Sequence, residues 1–288
     1  MNMRLIVFSH KLCWPSETSP SGFATDGGFA FQMRAISQLF AETVIAVPAS
    51  RNGDPQGEIA VEGATLRVWP AAVPSGRGMR RKVAMVLWTL QYLPQLTRSV
   101  CKADAVHTPI PGDIGTIGML LAWVLRKPLF VRYCNNWAVQ RTLAERFWHW
   151  SLERTTGGRN VTLITGGAPW RPSAANPNLQ WIFATTLTEQ EIAACRREPT
   201  WRPGDPIRLV IACRQERGKG SDIVIHAVAQ MLARGVAVTL DIAGDGSALP
   251  ALRGLADSLG IGAAVRFHGK LHHDAVIALL RTGTLFCF

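Results

Sequence analysis

Acidic residues are scarce in this chain. Twenty Asp and Glu stand against 31 Lys and Arg in 288 residues, a net charge of +11 with an isoelectric point near 10.0. That balance excludes a polyacidic or cation-buffering role and calls for an anionic partner: nucleic acid, anionic lipid or a phosphorylated substrate. Cysteine is also thin. The six cysteines form no C-x-x-C pair and join no Cys/His cluster, which argues against a zinc site and fits a reducing compartment. No apolar run approaches the roughly 18 residues that a spanning helix needs. Met1 to Phe8 is an apolar strand running straight into a polar loop, too short for a signal-peptide core. The expected location is therefore the cytoplasm, or the cytoplasmic face of a membrane. No RNA-binding motif, internal repeat or low-complexity tract is visible, so nucleic acid is set aside as a partner. Tryptophan is missing from the last third: all ten fall at or before position 201.

What is present is a mean hydropathy of +0.11 and an alternation of short apolar runs with helical spacing. This predicts an α/β fold. The length suggests two domains at roughly 100–200 residues each. The Pro- and Gly-dense stretch Glu198–Pro206 reads as the linker, giving domains 1–200 and 201–288. Residues 1–201 hold 21 basic and 13 acidic side chains and residues 202–288 hold 10 and 7, so both parts are basic.

The second domain is organised around Arg208–Val228. Leu209 to Ala212 reads as a buried strand, then a loop carries Arg214, Arg217 and Lys219 with Gly218 and Gly220 around the lysine. A helix follows, for which Ser221 or Asp222 can serve as cap. Strand, basic Gly-containing loop and helix N-terminus form an anion site, because free backbone N–H groups and the positive end of the helix dipole face the fixed cations. The loop is no Walker A motif: Cys213 stands where its first glycine belongs and Gly220 where a Ser or Thr should bind magnesium. Alone, it also fits a solvated basic turn. Downstream, a strand at Val236–Ala243 ends in Gly244-Asp245-Gly246, a helix covers Leu249–Leu259, and a strand at Ala264–Phe267 ends at His268-Gly269.

In this order the landmarks Arg214, Lys219-Gly220, Ala243-Gly244-Asp245-Gly246 and Val265-Arg-Phe-His-Gly269 resemble the C-terminal half of the retaining GT-B glycosyltransferases, the "group 1" family that uses nucleotide-sugar donors. The resemblance implies two Rossmann-like doubly wound parallel-sheet domains, the second incomplete in this chain. It implies a nucleoside-diphosphate-sugar donor on the second domain and a glycan or lipid-linked acceptor on the first. Arg214 and Lys219 would contact the donor diphosphate, with Gly220, Gly244, Asp245, Gly246 and His268 beside the donor. No cofactor beyond the donor is implied. No D-x-D pair occurs, so the metal-binding signature of the other common glycosyltransferase fold is missing. The resemblance also implies that the chain stops short of the family's remaining donor-domain elements, because the run Leu285–Phe288 reads as a strand of an unfinished sheet. A sugar-nucleotide epimerase on the same architecture, and a non-enzymatic basic module, are the alternatives.

In the first domain, Arg4–Phe8 reads as a strand, and Asp26-Gly27-Gly28 opens a helix over Phe29–Phe40 without the G-x-G-x-x-G spacing of a dinucleotide fingerprint. By the resemblance, Gly27 and Gly28 let the backbone approach donor or acceptor; a plain tight turn fits equally. Ile59–Val61 and Thr65–Val68 look like an edge hairpin. Ala105-Val-His107 is a short strand, placing His107 at a strand end, where ligands bind in doubly wound sheets. The resemblance makes it a catalytic contact. Arg77, Arg80, Arg81 and Lys82 precede the apolar segment Val83–Pro94, which contains Trp88. That segment fits either an interfacial helix on anionic headgroups, with Arg80, Arg81, Lys82 and Trp88 in contact with membrane or acceptor, or an ordinary covering helix with a solvated basic start.

Overall fold

The computed structural model describes residues 2–53, 58–76, 78–183, 185–195 and 201–287. Arg77, residues 198–200 of the expected linker and Phe288 lie outside them. The chain divides into two units, Met1–Asp54 with Glu58–Thr186, and Leu187–Phe288. The division falls ahead of the Pro/Gly-dense stretch. Glu191 explains it, because its carboxylate holds His273 Nε2 at 3.0 Å and thereby ties the 189–195 helix to the second unit.

In chain order the first unit contains β1 (Arg4–Phe8), β2 (Trp14–Pro15), β3 (Phe23–Thr25), α1 (Phe29–Ser37), β4 (Glu42–Pro48), β5 (Ile59–Ala60), β6 (Leu66–Ala71), α2 (Gly78–Lys102), β7 (Ala105–Ile110), α3 (Asp113–Val124), β8 (Leu129–Tyr133), α4 (Leu143–Thr155), β9 (Asn160–Thr165) and β10 (Gln180–Ile182). Seven strands form a parallel sheet in the order β10-β9-β8-β7-β1-β4-β6. Strand β1 shows why its sequence is apolar throughout. Leu5 and Val7 pack towards Ala30 and Met33 of α1, while Ile6 and Phe8 pack into the core formed with α2, α3 and α4. Both faces are covered, as a parallel sheet requires.

Two expectations for this unit fail. The segments at 59–61 and 65–68 do not form a hairpin. β5 pairs antiparallel with β3 in a small separate sheet, and β6 pairs parallel with β4 at the edge of the main one. Gly63 between them carries no positive φ, so no tight hairpin turn exists, and a Cβ there would lie 2.2 Å from Ser37 Oγ. Second, the basic-apolar segment is not a helix of a dozen residues ending at Pro94. α2 runs 25 residues with Pro94 inside it, because its inward stripe continues at four-residue intervals through Trp88, Tyr92, Leu96 and Val100. Pro94 sits on the exposed side, so its missing N–H costs a hydrogen bond away from the core.

The second unit contains α5 (Glu189–Cys195), β11 (Ile207–Ala212), α6 (Ser221–Ala233), β12 (Val238–Ala243), α7 (Leu249–Ser258), β13 (Val265–Gly269), α8 (His273–Thr282) and β14 (Leu285–Phe286). Its parallel sheet has the order β13-β12-β11-β14. Leu209, Ile211, Leu240 and Ile242 pack against α6 and α7, and Val210 and Ala243 pack against Leu279 of α8. A capping box opens α5: Glu191 N donates to Thr188 Oγ1 at 3.2 Å and Thr188 N to Glu191 Oε2 at 2.6 Å.

Candidate functional site

The loop between β11 and α6 is built by one buried side chain. Gln215 is fully enclosed, and its amide nitrogen donates to Cys213 O at 2.9 Å and to Ala243 O at 3.1 Å. Its amide oxygen accepts from Ser221 Oγ at 2.7 Å. One glutamine thus joins the ends of β11 and β12 to the first residue of α6. The backbone adds to the join, with Gln215 N donating to Asp245 O and Ala248 N to Gln215 O, both at 2.9 Å. Glu216 is drawn to the start of α7, where Ser247 donates to its carboxylate. Those bonds hold its pKa below the usual carboxylate range.

This corrects the expected cap. Gly220, at φ +82°, is the N-cap of α6 and supplies no side-chain hydrogen bond, while the Ser221 hydroxyl is turned to Gln215 and Asp222 lies in the first turn. The opening N–H groups of α6 therefore have no side-chain cap. Beside them Arg214, Arg217 and Lys219 stand exposed on the loop. An uncapped helix start with exposed cations next to it can receive an anion with several oxygen acceptors.

The second landmark is pressed against the first. A Cβ on Gly244, at φ +116°, would lie 1.8 Å from Cys213 O, and one on Gly246 would lie 2.3 Å from Gln215 O. Only glycine lets the two turns touch. Gly244 N donates to Gly269 O at 2.7 Å, which brings in the third landmark, and Asp245 Oδ1 accepts from Gly246 N at 2.8 Å. Arg214, Lys219, Gly220, Gly244, Asp245 and Gly246 are thus assembled at the C-terminal ends of β11 and β12.

His268 does not project from its strand end. Strand parity sets it on the α8 face, where its Nε2 meets Asp241 Oδ1 at 2.6 Å while Arg208 Nε holds Asp241 Oδ2 at 2.6 Å. Burial pushes the Asp241 pKa up, but the hydrogen bonds from Arg208 and His268 outweigh it and the net shift is downward.

In the first unit, β7 extends three residues past His107, so this histidine is interior rather than terminal. It is 1% exposed, stacks on Phe130 with ring centroids 4.3 Å apart, and directs Nδ1 at Phe130 O at 2.9 Å. A group so enclosed cannot touch a substrate, and the catalytic role expected of His107 is withdrawn. Burial pushes its pKa down to about 4 against the raising effect of the Phe130 carbonyl, so the ring is neutral and Nδ1–H donates. The unfolded chain takes up this proton near pH 6.5, the native state only near 4. The stabilisation is thus complete above pH 6.5 and declines by on the order of 3 kcal/mol as pH falls to 4. Urea unfolding at pH 7 and pH 4.5 should show this decline, and His107→Phe should remove that part of it.

What does gather at the strand ends of this unit is the expected Gly27–Gly28 turn together with His10 and Lys11, which sequence reasoning passed over, and Arg132. His10 lies two residues beyond β1, so close to Gly112 that a Cβ there would be 2.3 Å from its Nδ1. Burial lowers its pKa against the pull of Asp113. Lys11 pairs with Asp26 just before Gly27, and Arg132 bonds Gln32 and, at 3.4 Å, Thr165 Oγ1. Gly27 has φ +67°, and Gly28 caps α1 with no room for a Cβ beside Thr186. For His10 and Lys11 the available signal was position, since both follow β1.

On α2, Arg80 and Lys82 are exposed and Arg81 pairs with Asp113 at 3.1 Å. Trp88 is 4% exposed, and its Nε1 donates to Ala72 O at 2.8 Å. It belongs to the core and is no membrane or acceptor contact. The exposed apolar side of α2 is instead made of Met79, Val83, Val86, Leu87 and Leu90. No helix of the described residues is long and apolar enough to cross a membrane.

Residues 194–288 match the family model of glycosyl transferases group 1. Comparison with curated protein sequences finds no match. Among solved structures, sucrose-phosphate synthase from Thermosynechococcus elongatus superposes with a TM-score of 0.60 at 13% identity, over 99% of this chain and 75% of that one. Anabaena HepE, solved with UDP and glucose, gives 0.58 at 13% identity, over 99% and 73%. A protein from Listeria monocytogenes assigned as a UDP-N-acetylglucosamine 2-epimerase gives 0.53 at 11% identity, over 99% and 74%. The shared fold is GT-B, with two Rossmann-like units.

Proposed function

We infer that this chain, GT-B in fold and group 1 glycosyltransferase in the family match of its second unit, transfers a sugar from a nucleoside-diphosphate donor to a glycan or lipid-linked acceptor. The observation that carries this reading is the anion site of the second unit: exposed Arg214 and Lys219 beside the uncapped start of α6, on a loop fixed to the Gly244–Gly246 turn by Gln215. As the bond from anomeric carbon to diphosphate breaks, negative charge grows on the leaving oxygens. Two cations and several backbone N–H groups already in place stabilise that charge without reorganising, the electrostatic task that a metal ion performs elsewhere. Gly220, Gly244, Asp245 and Gly246 lie on the loops beside this site, while His268 is engaged by Asp241. Retention of anomeric configuration follows from the resemblance alone. The donor is the only small molecule the reaction needs besides acceptor.

We place the protein in the cytoplasm or on the cytoplasmic face of a membrane. Six free cysteines, the basic excess, and the exposed cations and apolar residues of α2 support that location. An epimerase shares the architecture, and a direct assay separates the two. The protein, offered UDP- and GDP-sugars, should release nucleoside diphosphate only when a soluble or lipid-linked glycan acceptor is added. Conversion of the donor sugar to its epimer without acceptor would overturn the transferase reading.

A further inference from the structure

The surface around α2 has a feature that the donor chemistry leaves unused. Between α2, α3 and α4 runs an open trough of about 420 Å³, walled by Val86, Leu90, Ile117, Ala144 and Phe147. Val86 and Leu90 are 60% and 63% exposed, so the trough has no cover in this unit. Its few polar groups are already engaged. Thr89 Oγ1 donates to Met85 O at 2.7 Å, Trp148 Nε1 donates to Thr116 Oγ1 at 3.0 Å, and Thr116 Oγ1 donates to Gly112 O at 2.8 Å. Asp113 is paired with Arg81. A peptide backbone or sugar would find little to bond in these walls, whereas hydrocarbon needs nothing from them.

Charge fixes the other half of the ligand. α2 carries no acidic residue, and Arg80, Arg81 and Lys82 lie in its first turns, at the end of the trough marked by the Arg81–Asp113 pair. That end is also the start of α3, just past the C-terminal end of β7 and beside His10. An amphiphilic anion satisfies both features.

We propose that the trough holds the hydrocarbon chain of a lipid phosphate, with the phosphate on Lys82, which stands one turn before Val86 and Leu90 on the same side of α2, beside the Arg81–Asp113 pair, and that the acceptor is therefore lipid-linked. This rests on the transferase reading above and narrows its acceptor class. A chain lying in the trough sets its head group at the strand-end edge of the first unit, where His10, Lys11 and the Gly27–Gly28 turn lie.

The probe is dodecyl phosphate below its micellar concentration, titrated calorimetrically into the whole protein, with inorganic phosphate and dodecanol as controls. Each buried methylene is worth roughly fourfold in affinity. Dodecyl phosphate should therefore bind about 100-fold or more tighter than inorganic phosphate if only a few methylenes enter the trough. Ala144 is exposed, so Ala144→Trp can fill the trough without disturbing the core, and it should remove most of that gain. Lys82→Ala should remove most of the advantage of dodecyl phosphate over dodecanol, and Arg80→Ala, on the side of Leu87, should not. Leu87→Ser, outside the trough, should leave dodecyl phosphate binding intact while weakening attachment to vesicles of anionic phospholipid. Equal binding by wild type and Ala144→Trp overturns the proposal, as does a dimer that Ala144→Trp dissolves. UDP is titrated in parallel. UDP binding without dodecyl phosphate binding defeats the trough alone, whereas loss of UDP binding in the wild type defeats the transferase reading.

Discussion

Gly244→Ala should collapse the junction between the two loops of the second unit. The substitution adds a methyl that would stand 1.8 Å from the Cys213 carbonyl oxygen, at a backbone φ of +116° that alanine avoids. Neither problem can be relieved locally. Cys213 is the first residue beyond β11, its N–H bonds Ala243 O, and its carbonyl oxygen accepts from Gln215. Backbone strain of 1–3 kcal/mol and overpacking of similar size together give a cost of about 3–5 kcal/mol in unfolding free energy. Urea unfolding followed by tryptophan-independent circular dichroism measures it, since no tryptophan lies beyond position 201. The expected companion result is a loss of nucleoside-diphosphate binding that Gly254→Ala does not share. Gly254 lies within α7, where a Cβ meets nothing within 4 Å, so alanine there should be neutral or mildly stabilising. If Gly244→Ala binds nucleotide as the wild type does, the packed junction plays no part in forming the site.

The second unit was largely legible because its site is marked by local chemistry. Glycines that no other residue can replace and cations beside a strand end are visible one residue at a time. Gln215 was not, because a glutamine in a basic loop reads as solvated; only its burial between two strand ends shows what it does. His268 could have been placed correctly, since period-two alternation along β12 and β13 assigns it and Asp241 to the same face. In the first unit two of the errors share one cause, which is that a terminator was taken at face value. Proline at 94 hid the continuation of α2, and with it the stripe that buries Trp88. Pro109 and Pro111 shortened β7 in the reading and made His107 look terminal, whereas the strand runs on to Ile110. The hairpin at 59–68 failed for a different reason. Two short β-prone segments carry no record of which sheet each joins, and that choice is made by long-range pairing.

The proposed donor site depends on Arg214 and Lys219 holding the donor diphosphate. They lie five residues apart on one loop, both exposed beside the start of α6, with Arg217 between them as an internal control of equal charge. Charge-assisted hydrogen bonds contribute about 1.5–3 kcal/mol each, and their strength rises as the leaving diphosphate gains charge. The loss should therefore appear in kcat more than in KM. The deciding measurement is kcat/KM for Arg214→Ala, Arg217→Ala and Lys219→Ala in the acceptor-dependent assay. Lys219→Ala should lose on the order of 10²-fold, Arg214→Ala a comparable amount, and Arg217→Ala far less. If Arg217→Ala is as damaging as the other two, the loop is only a basic patch and the assignment of the donor site is wrong.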